Sequence, residues 1–279
     1  MIMHGEDVQQ MQKENALFCP SQFDAQSELF PSRRETPDLK PEEIDFEMSF
    51  PKRKDRMKLS WLTQEGLEHF VRQYGADYEV LWLSACPKIR DLTPLGDLPG
   101  LKAVKLDYLR SADRLWDMSG NESLKILSIS DCKKLAQAPR MLQSANALEE
   151  VRFWGPVSGG TYTLESMEYF RDMRSLRRID LNWIKLTDKG MDVLDTLPNL
   201  EEFHFDPGML TTEEIAQIVA KHPNLVGDSL RAYDDEYIDI GEVRICGFRK
   251  PTLTLPRGQK RLEQYVREFE ALVEKYRNA

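Results

Sequence analysis

Four histidines (His4, His69, His204 and His222) and four cysteines (Cys19, Cys86, Cys132 and Cys246) are the side chains of this 279-residue chain best suited to nucleophilic or general-base chemistry. A nucleophile needs a base beside it, and no triad signature surrounds any of the histidines. The cysteines stand apart with no C-x-x-C pair, so the sequence encodes neither a zinc ribbon nor a dithiol redox motif, and the pattern suits a reducing compartment. The run "DDEYIDIGE" lacks the alternating spacing of a calcium loop and reads as a solvated loop. The glycine pair in "WGPVSGGTYTLE" has no G-x-x-x-x-G-K-[ST] around it and reads as an insertion loop at a rim. What remains is a set of aromatic rings among charges: Trp82, Tyr108, Trp154 and Trp183, with Lys105, Asp107, Arg152, Asp180, His204 and Asp206. Such mixtures anchor interfaces, so the expectation is binding by these ten residues, with no catalytic, cofactor or metal site.

Composition narrows the partner. With 41% hydrophobic residues the chain can bury a sizeable core, and a net charge of -9 argues against a surface built to neutralise phosphates. The sequence shows neither a basic flank followed by an apolar run nor an uninterrupted apolar stretch of spanning length. The expectations are a cytoplasmic protein, a protein partner, no nucleic acid and no membrane. The basic cluster Lys52, Arg53, Lys54, Arg56 and Lys58, interrupted by Asp55, reads as a turn.

The elements that position the rings come from a repeated phrase: an apolar residue, two variable positions, an apolar residue, one variable position and another apolar residue. It occurs at "YEVLWLSAC", "LKAVKLDYL", "LKILSISDC", "LEEVRFWGP", "LRRIDLNWI" and "LEEFHFDPG". The first positions, Tyr78, Leu101, Leu124, Leu148, Leu176 and Leu200, are spaced by 23, 23, 24, 28 and 24 residues. Each phrase is a short strand that cannot bury its apolar side alone, so successive units must stack into a parallel sheet. The core should hold Leu81, Leu83, Val104, Leu106, Leu127, Ile129, Val151, Phe153, Ile179, Leu181, Phe203 and Phe205. Alternation then sends Trp82, Lys105, Ser128, Arg152, Asp180 and His204 to the opposite face, with Ser84, Asp107, Ser130, Trp154, Asn182 and Asp206 two places on. The pairs Glu149 and Glu150, Arg177 and Arg178, and Glu201 and Glu202 should alternate in sign across neighbouring strands and help fix the register.

From Tyr78 to about Leu225 the chain resembles the leucine-rich repeat superfamily. The stretch "IRDLTPLGDLPGLKAVKL" is similar to the internalin-type unit, and "LNWIKLTDKGMDVLDTLPNLEEFHF" to the longer ribonuclease-inhibitor-type unit. The resemblance implies an α/β solenoid with a parallel concave sheet, helices and turns on the convex side, and capping elements at both ends. It also implies that Cys86 and Cys132, at the position after the strand that usually carries Asn or Cys, are buried ladder residues; Leu109, Pro156, Ile184 and Gly208 depart from that pattern.

Four segments follow: a polar, extended arm over 1–42, an N-terminal cap over 43–77, about six repeats over 78–224 and a C-terminal cap over 225–279. In the first cap "IDFEMSF" alternates like a strand pairing with "MKLSWL", and "LTQEGLEHFVRQYG" reads as a helix capped by Thr63. Among the return segments "LTDKGMDVLDTLPN" and "LTTEEIAQIVAKHPN" read as helices capped by Thr187 and Thr211. The stretch "EYIDIGEVRICGF" reads as one or two strands closing the sheet, and "GQKRLEQYVREFEALVEKYRNA" as an amphipathic helix, packed on its own domain or used for self-association. The function expected is a non-enzymatic protein-binding module using the concave face; the alternative is an inhibitor or immunity-type protein that occludes a toxin or enzyme.

Overall fold

The computed structural model describes residues 27–29, 38–50, 52, 55–156 and 160–278. In chain order the elements are β1 (Ser27–Leu29), α1 (Pro41–Met48), β2 (Arg56–Ser60), α2 (Gln64–Gln73), β3 (Val80–Ser84), β4 (Ala103–Asp107), β5 (Ile126–Ser130), α3 (Lys133–Gln137) and β6 (Glu150–Trp154). They continue with β7 (Tyr162–Ser166), β8 (Arg178–Asn182), β9 (Ile184–Asp188), β10 (Glu202–Phe205), α4 (Thr212–Lys221), β11 (Tyr233–Asp234), β12 (Glu242–Ile245), β13 (Thr252–Thr254) and α5 (Gln259–Arg277).

Eight strands form one parallel sheet in the order β1-β2-β3-β4-β5-β6-β8-β10, so the chain adds each unit beside the last in an α/β arrangement. All twelve expected core residues are buried, none more than 3% exposed. Each such Leu, Ile or Phe contributes about 2 kcal/mol by leaving water, and the register that keeps the whole set on one side is correspondingly fixed. The paired charges reinforce it on the edges: Lys125 meets Glu149 at 2.8 Å, Arg177 meets Glu201 at 2.8 Å and Arg178 meets Glu202 at 2.6 Å.

A repeated turn ends five strands of the large sheet. Trp61, Ala85, Tyr108, Asp131 and Trp183, each the first residue past its strand, have left-handed φ values between 49° and 61°. The amides of Trp61, Ala85, Tyr108 and Asp131 then donate to the last carbonyl of the neighbouring strand, at 2.9 to 3.2 Å, which prolongs the ladder around the corner. Just beyond, the Cys86 and Cys132 sulfurs accept the amides of Leu62 and Leu109 at 3.3 and 3.2 Å. The two thiols are fully buried and burial pushes each up to about 12, as ladder residues require.

Several expectations are corrected. "IDFEMSF" is not a strand: Pro41 opens α1, Glu42 and Glu43 occupy its first turn, and the Glu43 carboxylate accepts the Lys40 amide at 3.2 Å. Ile44 is buried, while Phe46 and Phe50 face solvent. "MKLSWL" therefore pairs elsewhere, parallel to β3 with Met57 opposite Leu81 and Leu59 opposite Leu83, which starts the sheet before Tyr78 and puts Arg56 and Lys58 in a strand rather than a turn. The Thr63-capped helix α2 is present, but it connects two strands of the sheet. Thr187 caps no helix; it lies in β9, which pairs with β7, and a 3-10 turn Met191–Thr196 follows. The segment "EYIDIGEVRICGF" does not extend the large sheet, because β12 joins β11 and β13 in a separate antiparallel sheet. Most of the expected arm, Cys19 included, lies outside the described residues, but β1 and the buried Leu39 fall within 1–42. Residues 157–159 of the expected insertion loop also lie outside them.

Two further expectations hold. Thr211 caps α4, reciprocated by Glu214. Helix α5 lies on its own domain: Phe269 and Val273 enter the main core beside α4, and Leu262 packs with Val243, Ile245 and Leu253.

Candidate functional site

On the face opposite the core, strand pairing aligns Lys58, Trp82, Lys105, Ser128, Arg152, Asp180 and His204 in one column. A second column runs Ser60, Ser84, Asp107, Ser130, Trp154 and Asn182, with Asp206 just past the end of β10. Tyr108 and Trp183 sit at the left-handed corners beside them. The ten expected residues therefore share one face and the rim formed by the C-terminal ends of the strands.

Their environments differ along the sheet. Near its start the Trp82 ring lies between two ammonium groups, Lys58 Nζ at 4.4 Å and Lys105 Nζ at 4.0 Å from the centroid. Asp107 is half-buried, and its carboxyl is raised by burial against the pull of Lys105. The Arg110 guanidinium stands 4.2 Å from the Tyr108 ring centre.

In the middle the charges serve one another. Arg152 pairs with Glu150, and Arg178 reaches Glu150 at 3.5 Å as well as Glu202. Asp180 is only 3% exposed; burial raises its carboxyl, against the Coulomb pull of His204, Arg178 and Arg152. Ser128 is likewise covered by its neighbours. His204 bridges two carboxylates, Glu202 at 2.9 Å and Asp228 at 3.0 Å. Burial pulls its imidazole down, yet hydrogen bonds to Asp228 and Glu202 carry it up to about 9, so it is a cation at neutral pH.

At the far end a cleft of about 550 Å³ opens. One wall is the ends of β6, β8 and β10 with Trp154, Trp183 and Asp206; the other is built by Asp228, Ser229, Arg231, residues 234–237 and Arg244 of β12. The acidic run expected to be a solvated loop forms part of this wall. Asp234 is 5% exposed and takes Arg244 Nε at 3.0 Å; Glu236 takes the same guanidinium at 2.7 Å, and Asp235 takes Arg231 at 2.6 Å. Tyr237 adds a third ring, its centre 5.0 Å from Arg244 Cζ. Arg231, Asp234, Glu236, Tyr237 and Arg244 were not anticipated, since they lie beyond the repeated phrase; the aromatic position amid the acidic run was the one signal available.

Two other histidines, His69 and His222, fasten elements together. His69 contacts Asp45 at 2.6 Å, which ties α1 to α2, and His222 at the end of α4 contacts Asp195 at 3.2 Å. Among the described residues no helix is long and apolar enough to cross a membrane.

No protein-family model matches the sequence, and no curated protein matches it. Among solved structures, an internalin from Listeria monocytogenes is similar over 55% of this chain and 48% of its own, with 15% identity and a TM-score of 0.33, so the likeness spans about half of that protein.

Proposed function

We propose that this chain is a leucine-rich repeat solenoid that binds a protein partner through the exposed face of its parallel sheet, without catalysis, in the cytoplasm. One observation carries the reading. Trp61, Tyr108 and Trp183 occupy left-handed corners, where Gly, Asn or Asp would cost about 1 kcal/mol less. Bulky rings kept at such corners along a single rim, beside Trp82 and Trp154 on the adjoining face, are explained by what the side chains contact rather than by the turn. In this reading Trp82, Lys105, Asp107, Tyr108, Arg152, Trp154, Asp180, Trp183, His204 and Asp206 form the interface. Residues 78–224 then supply most of the recognition surface and 225–279 close its far end.

The test is affinity capture from native lysate with wild type, a Trp82→Ala/Trp154→Ala double variant and an Arg114→Ala control, all confirmed folded. Loss of one protein from the double variant alone supports the reading; an identical catch from all three sinks it.

A further inference from the structure

We infer that the cleft beyond β10 is a receptor for an arginine side chain carried by a protein partner; the inference deepens the proposed face and rests on that reading. Three rings stand open to solvent in its walls, Trp154 at 39%, Trp183 at 44% and Tyr237 at 43% exposure. Five carboxylates line it (Asp206, Asp228, Asp234, Asp235 and Glu236) against three cations (Arg231, Arg244 and the imidazolium of His204), an acidic surplus of two.

The internal pairing decides the sign of the ligand. Each of the three cations already touches two carboxylates: Arg231 meets Asp234 and Asp235, Arg244 meets Asp234 and Glu236, and His204 meets Glu202 and Asp228. An anion would therefore have to displace an existing carboxylate. A cation meets the surplus instead. Asp228 and Glu236 are the most exposed of the paired acids, with side chains 74% and 60% accessible, and a carboxylate has about four lone-pair sites for further donors.

The rings decide between arginine and lysine. A guanidinium can lie flat on an indole while its fork reaches carboxylates, whereas a lysine ammonium is a point charge that holds its water more strongly. The cleft already contains this arrangement, since Arg244 stands over Tyr237 while it bonds Asp234 and Glu236. Trp154 and Trp183 bring two indoles to the same cleft, beside the same carboxylates.

The test is calorimetric titration with acetylated, amidated tri-arginine, tri-lysine and tri-glutamate peptides in low salt. Tri-arginine is expected to saturate one site, tri-lysine to bind several-fold more weakly, and tri-glutamate to give no heat. Trp154→Ala should weaken tri-arginine about 10-fold, and Glu236→Gln, at an exposed side chain that leaves the fold intact, about 3-fold. Unsaturable binding, or affinity unchanged in both variants, would show diffuse attraction to an acidic protein and overturn the proposal. Equal binding of tri-lysine would overturn the choice of arginine. The two readings fail separately: loss of partner capture in Trp82→Ala with no tri-arginine site leaves the face standing without the cleft. Saturable tri-arginine binding, with partner capture unmoved by every face variant, leaves a cation site without the proposed module.

Discussion

Replacing His204 by Gln should make the stability of this protein respond to pH in a way that isolates one bridge, from β10 to the segment that follows α4. The imidazole rises from its ordinary 6.5 to about 9 in the folded chain, so its contribution is complete below pH 6.5 and is lost as pH climbs through 9. A rise of that size caps the contribution at about 3 kcal/mol. Part of it comes from Asp228, whose side chain is 74% accessible and therefore screened by water, while Glu202 is 29% accessible; the discounted value is about 2 kcal/mol. Urea denaturation of wild type and His204→Gln at pH 6 and pH 9.5 measures it as the gap between the two proteins. That gap should shrink by about 2 kcal/mol at the higher pH, and the imidazole should titrate near 9 by NMR. A second narrowing belongs at acid pH. Hydrogen bonds to His204 hold Glu202 and Asp228 below their ordinary values, so their share is lost as pH falls through those lowered values. A gap that ignores alkaline pH, or a midpoint near 6.5, would refute the bridge.

Other consequences are equally open to measurement. Asn121 accepts the Trp116 indole N–H at 2.7 Å and donates to the Leu95 and Leu98 carbonyls at 3.0 and 2.8 Å, all buried, so Asn121→Ala should cost about 3 kcal/mol in urea denaturation. Thiol titration with Ellman's reagent at pH 8 should leave Cys86, Cys132 and Cys246 unlabelled in the native protein, because burial pushes each up to about 12; all four cysteines should react in denaturant. Gly227→Ala should destabilise by about 2 kcal/mol or more, since its Cβ would meet the Phe203 carbonyl oxygen at 2.0 Å; Gly208→Ala, with nothing within 4 Å, should stay within about 0.5 kcal/mol of wild type. Phe269→Ala should cost about 3 kcal/mol while light scattering reports an unchanged mass; a fall in mass would show that α5 holds copies together.

The repeated phrase was legible because stacking imposes the same demand on every unit. A strand that must bury its apolar side against a neighbour keeps its apolar positions in step, and alternation then names the opposite face; hence the column from Trp82 to His204 and the signs along Glu150, Arg178 and Glu202 could be read directly. Where local and distant interactions compete, the reading failed. Ile44, Phe46, Met48 and Phe50 satisfy a strand period, but Ile44 and Met48 are also four apart, and Pro41 with Glu42 and Glu43 supplies helix-starting chemistry that alternation ignores. β2 was expected as a strand but not as a unit of the repeat, because Lys54 stands where the phrase has its first apolar residue, although Met57 and Leu59 fill the other two places. Thr187 precedes a plausible helical stripe, yet residues 184–188 find a partner in β7, which no local pattern announces. The second wall of the cleft is likewise assembled by antiparallel pairing of β11 and β12, outside any period.

The distribution of already-paired charge says how such a face would read a partner. Through the middle strands Glu150, Arg178, Glu202 and His204 satisfy one another, so a ligand that approached there would have to break those pairs. The ends are different. Near β2 to β4 a ring is flanked by two ammonium groups, and beyond β10 three exposed rings stand among surplus carboxylates. Opposite signs at the two ends give a partner a preferred direction along the sheet, because the reversed orientation sets like charges together, which costs several kcal/mol in the encounter complex. In the proposed interface the aromatic anchors would supply binding energy and the terminal charges polarity, while the central ion pairs keep the strands in the register on which both would depend.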